Sequence, residues 1–233
     1  MTKKQRKAKT DYERERRRLH RLHRFEYAAR EKGYRLIGGV DEVGRGPLAG
    51  PVVAACVVAA KPLMLRGLND SKVVQPEARK RLAEQIKERC SAWAIGSASV
   101  EEIDRLNIYY ASILAMERAI AALSCAPEYL ITDAIRIKSF PGPQEPLIKG
   151  DARCAVVAAA SIVAKVHRDG LLETLHQEDP RYGFASHKGY STPEHLAAIE
   201  RYGPCLHHRA NWARIKESIE KLFGAAGADV LND

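Results

Sequence analysis

Short runs of β-branched and small apolar residues alternate along this chain with longer stretches in which apolar positions recur every three or four residues. Residues 35–40, 52–59 and 92–100 read as strands. Between the second and third, Pro76 near the start and basic residues toward the end bound a helix over residues 76–90. Glu101, Glu102 and Asp104 mark the first turn of the next helix. A longer one over residues 108–123 sets Ile113, Leu114, Met116 and Ile120 at core-facing spacing. Residues 129–132 form a short apolar strand ending in Asp133, and a proline-rich loop follows over residues 141–146. The alanine-rich stretch 155–169 reads as a helix whose small side chains permit close packing on a sheet. After an irregular segment over residues 182–190, Ser191 or Thr192 with Pro193 opens a further helix. Three strands followed by alternating helix and strand imply a mixed α/β sheet, and no internal repeat is apparent.

With 233 residues, 45% of them hydrophobic, the chain can bury the core of one domain plus appendages, which argues against wholesale disorder. No apolar stretch reaches the ~20 residues needed to cross a bilayer, and no apolar segment follows the charged start. A cytoplasmic protein without a membrane partner is the expectation. Cys56, Cys90, Cys125, Cys154 and Cys205 lack C-x-x-C spacing, so reduced thiols are expected. The run Cys205-Leu206-His207-His208 has no second cluster to complete a structural zinc site.

The net charge of +9 is unevenly spread. Residues 1–33 hold thirteen Lys and Arg against five Asp and Glu, leaving twenty-five basic and twenty-four acidic residues in the rest. This segment reads as a basic tail, disordered or a solvated helix, serving either as a tether to phosphates or as a solubilising extension. Residues 34–225 then form the folded body and residues 226–233 a C-terminal tail.

The chemistry concentrates in Gly39-Val40-Asp41-Glu42-Val43-Gly44-Arg45-Gly46-Pro47, where an apolar run delivers two adjacent carboxylates into a glycine-bracketed arginine turn. Like charges that close are costly unless a cation neutralises them, and glycines let a ligand approach backbone N–H groups. The G-x-G-x-x-G spacing of a dinucleotide-binding turn is absent, and the residues after Pro47 read as a second buried strand, placing the acids near a strand–turn–strand corner. If the first strand and the one ending at Thr132 are neighbours, Asp41, Glu42 and Asp133 meet at one end of the sheet, with Asp151 able to join them. Two hard cations roughly 3.5–4 Å apart on such acids can activate water for an in-line phosphodiester displacement. The ordinary alternatives are a turn-former at Asp133, an N-cap at Asp151, and for Asp169 an i,i+4 partner of Lys165.

The sequence resembles the type 2 ribonucleases H, specifically bacterial ribonuclease HII. The resemblance rests on the block just quoted, on Asp70-Ser71-Lys72, on Ile103-Asp104-Arg105-Leu106-Asn107-Ile108 and on Lys149-Gly150-Asp151. It extends through the helix from Ala158 to Asp169 and through Tyr182-Gly183-Phe184 with His187-Lys188-Gly189-Tyr190. The blocks stand in family order and cover roughly residues 34–212. The resemblance implies a ribonuclease H-like mixed α/β sheet flanked by helices, with a C-terminal helical extension. It implies hydrolysis of the RNA strand of RNA–DNA hybrids, and incision of duplex DNA 5′ of embedded ribonucleotides to leave 3′-hydroxyl and 5′-phosphate ends. Carried onto this chain, Asp41, Glu42, Asp133 and Asp151 are the catalytic metal ligands for Mn²⁺ or Mg²⁺, and Asp169 is a further acid less directly tied to them. The turn Gly44-Arg45-Gly46 is implied to read the ribose 2′-hydroxyl, Tyr190 to pack near the ribonucleotide, and Lys72 to meet a backbone phosphate.

Two departures from the family pattern stand out. Ala134-Ile135 follows Asp133 where many bacterial members carry a small polar or glycine-asparagine pair, and the family's His-Arg pair with a nearby aromatic appears as His208-Arg209-Ala210-Asn211-Trp212. Two other functions are compatible with parts of this sequence. One is a non-catalytic nucleic-acid-binding protein relying on the basic tail, and the other a resolvase- or integrase-like nuclease without a 2′-hydroxyl requirement. A monomer is the expected state.

Overall fold

The computed structural model describes residues 3–223, with side chains over residues 10–220; the expected tail 226–233 lies outside them. Two helices open the chain, α1 (Lys3–Leu22) and α2 (Arg24–Glu31). They are followed by strands β1 (Ile37–Val43) and β2 (Val52–Ala59), helix α3 (Pro76–Arg89) and strand β3 (Ala92–Ala98). Helices α4 (Val100–Leu106) and α5 (Ile108–Ala121) lead to β4 (Tyr129–Asp133) and β5 (Gln144–Leu147). The remainder is helical: α6 (Gly150–Arg153), α7 (Ala155–Glu178), α8 (Phe184–His187), α9 (Pro193–Tyr202) and α10 (Ala213–Phe223).

The strands form one mixed sheet in the order β3-β2-β1-β4-β5. β1 and β3 run antiparallel to β2, whereas β4 runs parallel to both β1 and β5. Because β2 is an interior strand covered on both faces, all of its residues are buried, which matches its uninterrupted apolar sequence. α7 covers one face, burying Ile37, Val53, Ala55, Val57 and Ile131, and α5 covers the other over Val40, Val52, Ala54, Cys56 and Leu130. Close approach is built into two strand glycines. A Cβ on Gly39 would run into the Val156–Val157 backbone of α7, and one on Gly96 into the backbone of Ala115 and Ala119 in α5.

Several elements differ from the sequence reading. β1 continues through Asp41 and Glu42 to Val43, so the two acids are strand residues paired with Ala55 and Ala54 and not the opening of a turn. β5 occupies part of the proline-rich stretch; its Pro146 lies at the sheet's edge, where a missing N–H is tolerated. α7 runs on to Glu178. The third strand ends at Ala98 and not at Val100, because Ser99 and Glu102 form a reciprocal capping box that starts α4; on α9 the Thr192 hydroxyl accepts from His195 N, at the start read from the sequence.

The segment read as a basic tail is helical and docked. Leu19, Leu22 and Ala29 belong to the main core, and buried Glu26 accepts a hydrogen bond from Val156 N at the start of α7 (2.8 Å). Burial pushes the Glu26 carboxyl up to about 7.

A second constraint ties the loop after β1 to the C-terminal helices. Arg168 and Arg209 are fully buried. Arg168 donates to the carbonyls of Pro51 (3.0 Å), Lys188 (3.0 Å) and Ala49 (2.9 Å). Arg209 donates to those of Gly44, Arg45 (3.0 Å) and Gly50 (2.9 Å). Neither forms an ion pair among the described residues; backbone oxygens alone satisfy both guanidiniums.

Two predictions follow from these buried charges. The folded-state pKa of Glu26 lies above its unfolded value, so the stability it contributes is present at low pH and is lost as pH rises through about 7. Between about pH 6 and 8 the unfolding free energy of the wild type should fall by roughly 1.4 kcal/mol more than that of Glu26→Gln, measured by urea unfolding. Equal pH dependence in the two proteins would remove the case for a protonated Glu26. Arg209→Lys cannot reproduce the guanidinium fork, and leaving buried carbonyls unpaired should lower the unfolding free energy by roughly 2–4 kcal/mol. A loss under about 0.5 kcal/mol, the range of ordinary surface substitutions, would count against the staple.

Candidate active site

β1 and β4 end side by side. Their parallel register pairs Val40 with Thr132, so Asp41 and Asp133 are the next residues along two adjacent strands. Alternation along β1 sends Asp41 to the α7 face with Ile37 and Gly39, and sends Glu42 to the opposite face with Val40. Asp151 is brought to the same end by α6, which starts at Gly150. The backbone N–H of Gly150 donates to Asp133 Oδ1 at 2.7 Å, tying the second acid to the helix that carries the fourth.

Each carboxylate is held from one side. Asp41 Oδ1 accepts from Glu42 N (2.9 Å), and the Ser161 hydroxyl, itself bonded to Ser71 Oγ (2.9 Å), faces Asp41 from α7. Glu42 Oε1 meets Arg45 at 3.3 Å, while Oε2 is buried with no protein partner among the described residues. Asp151 accepts from Ala152 N (2.9 Å) and from Lys72 Nζ (3.2 Å), whose side chain is 78% exposed. Burial, then the charges of Glu42, Asp133 and Asp151, push Asp41 well above the usual carboxylate range. Burial also raises Glu42, against the opposing pull of Arg45, and raises Asp133.

The donor set fits a hard divalent cation. It consists of oxygens only, the acids repel one another, and one Glu42 oxygen is buried and unpartnered. As they stand, among the described residues no three His, Cys, Asp or Glu side chains are grouped closely enough to hold a metal ion together. Lys72 and Arg45 carry the compensating charge at the rim.

Asp169 stands apart from this group. It is clamped between Lys165 Nζ (2.6 Å) and Arg79 (3.2 Å), which ties α7 to α3. The left-handed backbone of Ala134 (φ +56°) and Lys149 (φ +58°) flanks the acids on β4 and α6. That conformation gives the Ala134 departure a physical meaning, because glycine or asparagine adopts it with less strain.

The turn after β1 is built for close approach. Gly44 has φ +97°, and a Cβ there would collide with the Arg168 guanidinium. Beside Gly46 the nearest neighbour is the Tyr190 ring, 3.7 Å from where a Cβ would stand. The amides of Arg45 and Gly46 donate to no protein acceptor among the described residues, while the carbonyls of Gly44 and Arg45 are taken up by Arg209. The loop carrying Tyr190 is zipped to this turn by Leu48 N donating to Gly189 O (2.8 Å).

Behind Tyr190 lies a histidine relay absent from the sequence reading. Cys205 N donates to His208 Nδ1 (2.9 Å), which leaves the His208 proton on Nε2 to reach His195 Nε2 (3.0 Å). His195 Nδ1 then donates to Tyr190 O (2.8 Å). Burial pulls His195 to about 4 and His208 to about 3, so both rings are neutral near pH 7, as this directionality requires. Arg168 and Arg209 stood inside or beside the motif blocks, but nothing in their spacing reveals what they hold.

Residues 38–215 match the family model described as Ribonuclease HII. Ribonuclease HII from Pelotomaculum thermopropionicum is 51% identical over 201 residues, covering 85% of this chain and 76% of that protein. The Solibacter usitatus protein of the same name is 49% identical over 213 residues, covering 88% and 93%. Among solved structures, ribonuclease H2 from Pyrococcus horikoshii aligns with a TM-score of 0.68 at 25% identity, over 80% of this chain and 98% of its own. Bst-RNase HIII in complex with Mn²⁺ shares the fold, with a TM-score of 0.61 at 21% identity over 89% and 73% of the two chains. The mixed five-stranded sheet, the acids at its end and these relationships agree: the chain belongs to the ribonuclease HII family and is a ribonuclease H.

Proposed function

We propose that this enzyme hydrolyses the RNA strand of RNA–DNA hybrids and also incises duplex DNA on the 5′ side of an embedded ribonucleotide, leaving 3′-hydroxyl and 5′-phosphate ends. Such an activity would serve removal of misincorporated ribonucleotides and of RNA primers. The observation that carries the reading is the meeting of Asp41 and Asp133 on adjacent strands, within one connected site with Asp151 and the Gly44-Arg45-Gly46 turn.

Asp41, Glu42, Asp133 and Asp151 would hold divalent metal, Mg²⁺ or Mn²⁺, which when bound activates a water and stabilises the leaving oxygen. A solved relative of the same fold carries Mn²⁺. The protein's own groups supply position and selectivity. The unpartnered amides of Arg45 and Gly46 are suited to a ribose hydroxyl and its adjacent phosphate, a contact that DNA cannot complete at that sugar. Tyr190, 42% exposed, offers a ring beside Gly46 on which the sugar or base can pack. Lys72 is a mobile point charge suited to a phosphate oxygen, and on meeting one it would release Asp151. Asp169 supports the site by fixing α7 to α3, behind the face that presents Ser161.

Asp41→Asn keeps the shape and removes one charge. It is expected to lower single-turnover cleavage of a hybrid by a factor on the order of 10³ while thermal unfolding shows the fold retained; full activity in this variant would overturn the assignment. Substrate preference is read from a DNA duplex with one ribonucleotide, an all-DNA duplex and an RNA–DNA hybrid, each with Mg²⁺, Mn²⁺ or EDTA. Metal-dependent cutting only where ribose 2′-hydroxyls are present is expected. Cutting of all three duplexes would retain the acids and discard the role given to the Gly-Arg-Gly turn.

A further inference from the structure

The N-terminal helices precede the family match, which begins at residue 38, and the catalytic reading leaves them without a role. We infer that α1 and α2 form a second phosphate-binding surface, continuous with the active site, that grips the backbone of the duplex substrate away from the scissile bond.

The helix pair is rigidly mounted. Glu15 accepts from Gly67 N (2.9 Å), and Arg18 links Glu15 (2.8 Å) to the carbonyl of Leu68 (2.8 Å). Arg30 donates to Ala59 O (2.9 Å), and Leu19 and Leu22 are buried in the main core. A surface already held in place avoids most of the ordering cost that a disordered basic arm incurs on binding.

Charge is sorted around α1. The docked side carries Glu15, Arg18, Leu19 and Leu22. Arg14, Arg17 and Arg21, spaced three and four apart, form one exposed stripe that flanks the docked side, and exposed Arg24 opens α2. Among the described residues Arg14 and Arg21 have no ion pair. Arg17 has only exposed Glu13 at 3.9 Å, a contact of little energetic weight. The chain thus uses Arg18 for docking and leaves the stripe unused, although the rest of the sequence is nearly neutral.

The helix pair also links back toward the acids. The Arg24 guanidinium lies 4.6 Å from the centroid of the Phe25 ring, and Arg153 lies 5.5 Å from the same ring. Arg153 is exposed at the end of α6, two residues after Asp151. On the other side, the Gly67–Leu68 anchor of α1 leads within a few residues to Lys72, which contacts Asp151. Both attachments of the helix pair therefore lead back to Asp151. A nuclease whose acids repel phosphate gains from cations that hold the strand on either side of them. From Arg14 to Arg21 α1 advances about 10 Å, roughly three base-pair steps, and the stripe lies away from the acids, so a long duplex can use contacts that a very short one cannot reach.

This inference rests on the proposed function only for the identity of the duplex. The test uses the full chain, wild type and Arg14→Ala/Arg17→Ala/Arg21→Ala/Arg24→Ala, with a fluorescent RNA–DNA hybrid in EDTA from about 50 to 200 mM KCl. Each phosphate contact contributes about 0.9 to the slope of log K against log salt, so the variant's slope should shrink by roughly 2–4, with affinity at least about tenfold weaker. A hybrid of about six base pairs should show a much smaller difference between the two proteins than one of about twenty-five. The matching fourfold Arg→Lys variant should keep the wild-type slope. Should the fourfold Ala variant fail thermal unfolding, Arg14→Ala and Arg17→Ala, both on the exposed stripe, serve singly, each expected to reduce the slope by about one. Unchanged slope and affinity overturn the inference. Because binding is read without metal, a protein that shows the slope change yet cuts no hybrid would overturn the nuclease reading alone.

Discussion

Two guanidinium groups buried without a carboxylate are the constraint on which the site depends. Moving a charge into a protein interior is costly, and a charge-paired arrangement is the usual remedy. Here Arg168 and Arg209 are satisfied by backbone carbonyls at residues 44, 45, 49, 50, 51 and 188. Burial, with Arg168 close by, pulls Arg209 down to about 9, which leaves it charged near neutrality. The two side chains consume the inward-facing oxygens of the loop after β1. The amides of Arg45 and Gly46 remain without protein acceptors, and the turn is held on the same frame as Tyr190. A loop of glycines, otherwise expected to be mobile, is thereby fixed by charge-assisted hydrogen bonds from α7 and from the segment before α10.

The carboxylates present the opposite problem. Asp41, Glu42 and Asp133 are raised by burial and by one another, and the adjoining backbone takes left-handed conformations at Ala134 and Lys149. Unfavourable local choices gather here while the surrounding sheet and helices are regular, the distribution expected when a rigid frame holds a strained site. Glycines at positions 39 and 96 allow α7 and α5 to lie close against the sheet, which brings Ser161 to Asp41. The neutral histidine relay behind Tyr190 adds a further fixed element with no charge near the arginines.

Much of this molecule was legible in the sequence because local patterns determine local structure. The runs that became β1 to β4, the proline and acidic helix starts, the Thr192 cap and the ordered motif blocks could all be read residue by residue. β5 escaped because an edge strand of four residues containing a proline carries almost no periodic signal. The docking of α1 escaped for a different reason. Among the described residues of this strongly basic segment, Leu19, Leu22 and Ala29 enter the core with Phe25 packed against it, too few to stand out against the charge.

By itself the sequence determined the element types, the mixed α/β class, the family and the acids that could share a metal. Tertiary structure alone decided which acids meet. Parallel pairing of β1 with β4 sets Asp41 beside Asp133, strand alternation separates Asp41 from Glu42, and Arg79 and Lys165 hold Asp169 between α3 and α7. It also decided that two arginines near the motif blocks serve backbone oxygens, and that a basic segment is a mounted helix. The physical reason is range. Periodicity and capping act over a few neighbouring residues, whereas the burial of a charge and the partner of a hydrogen bond depend on groups more than a hundred residues away, as between Arg168 and Pro51 or Arg209 and Gly44.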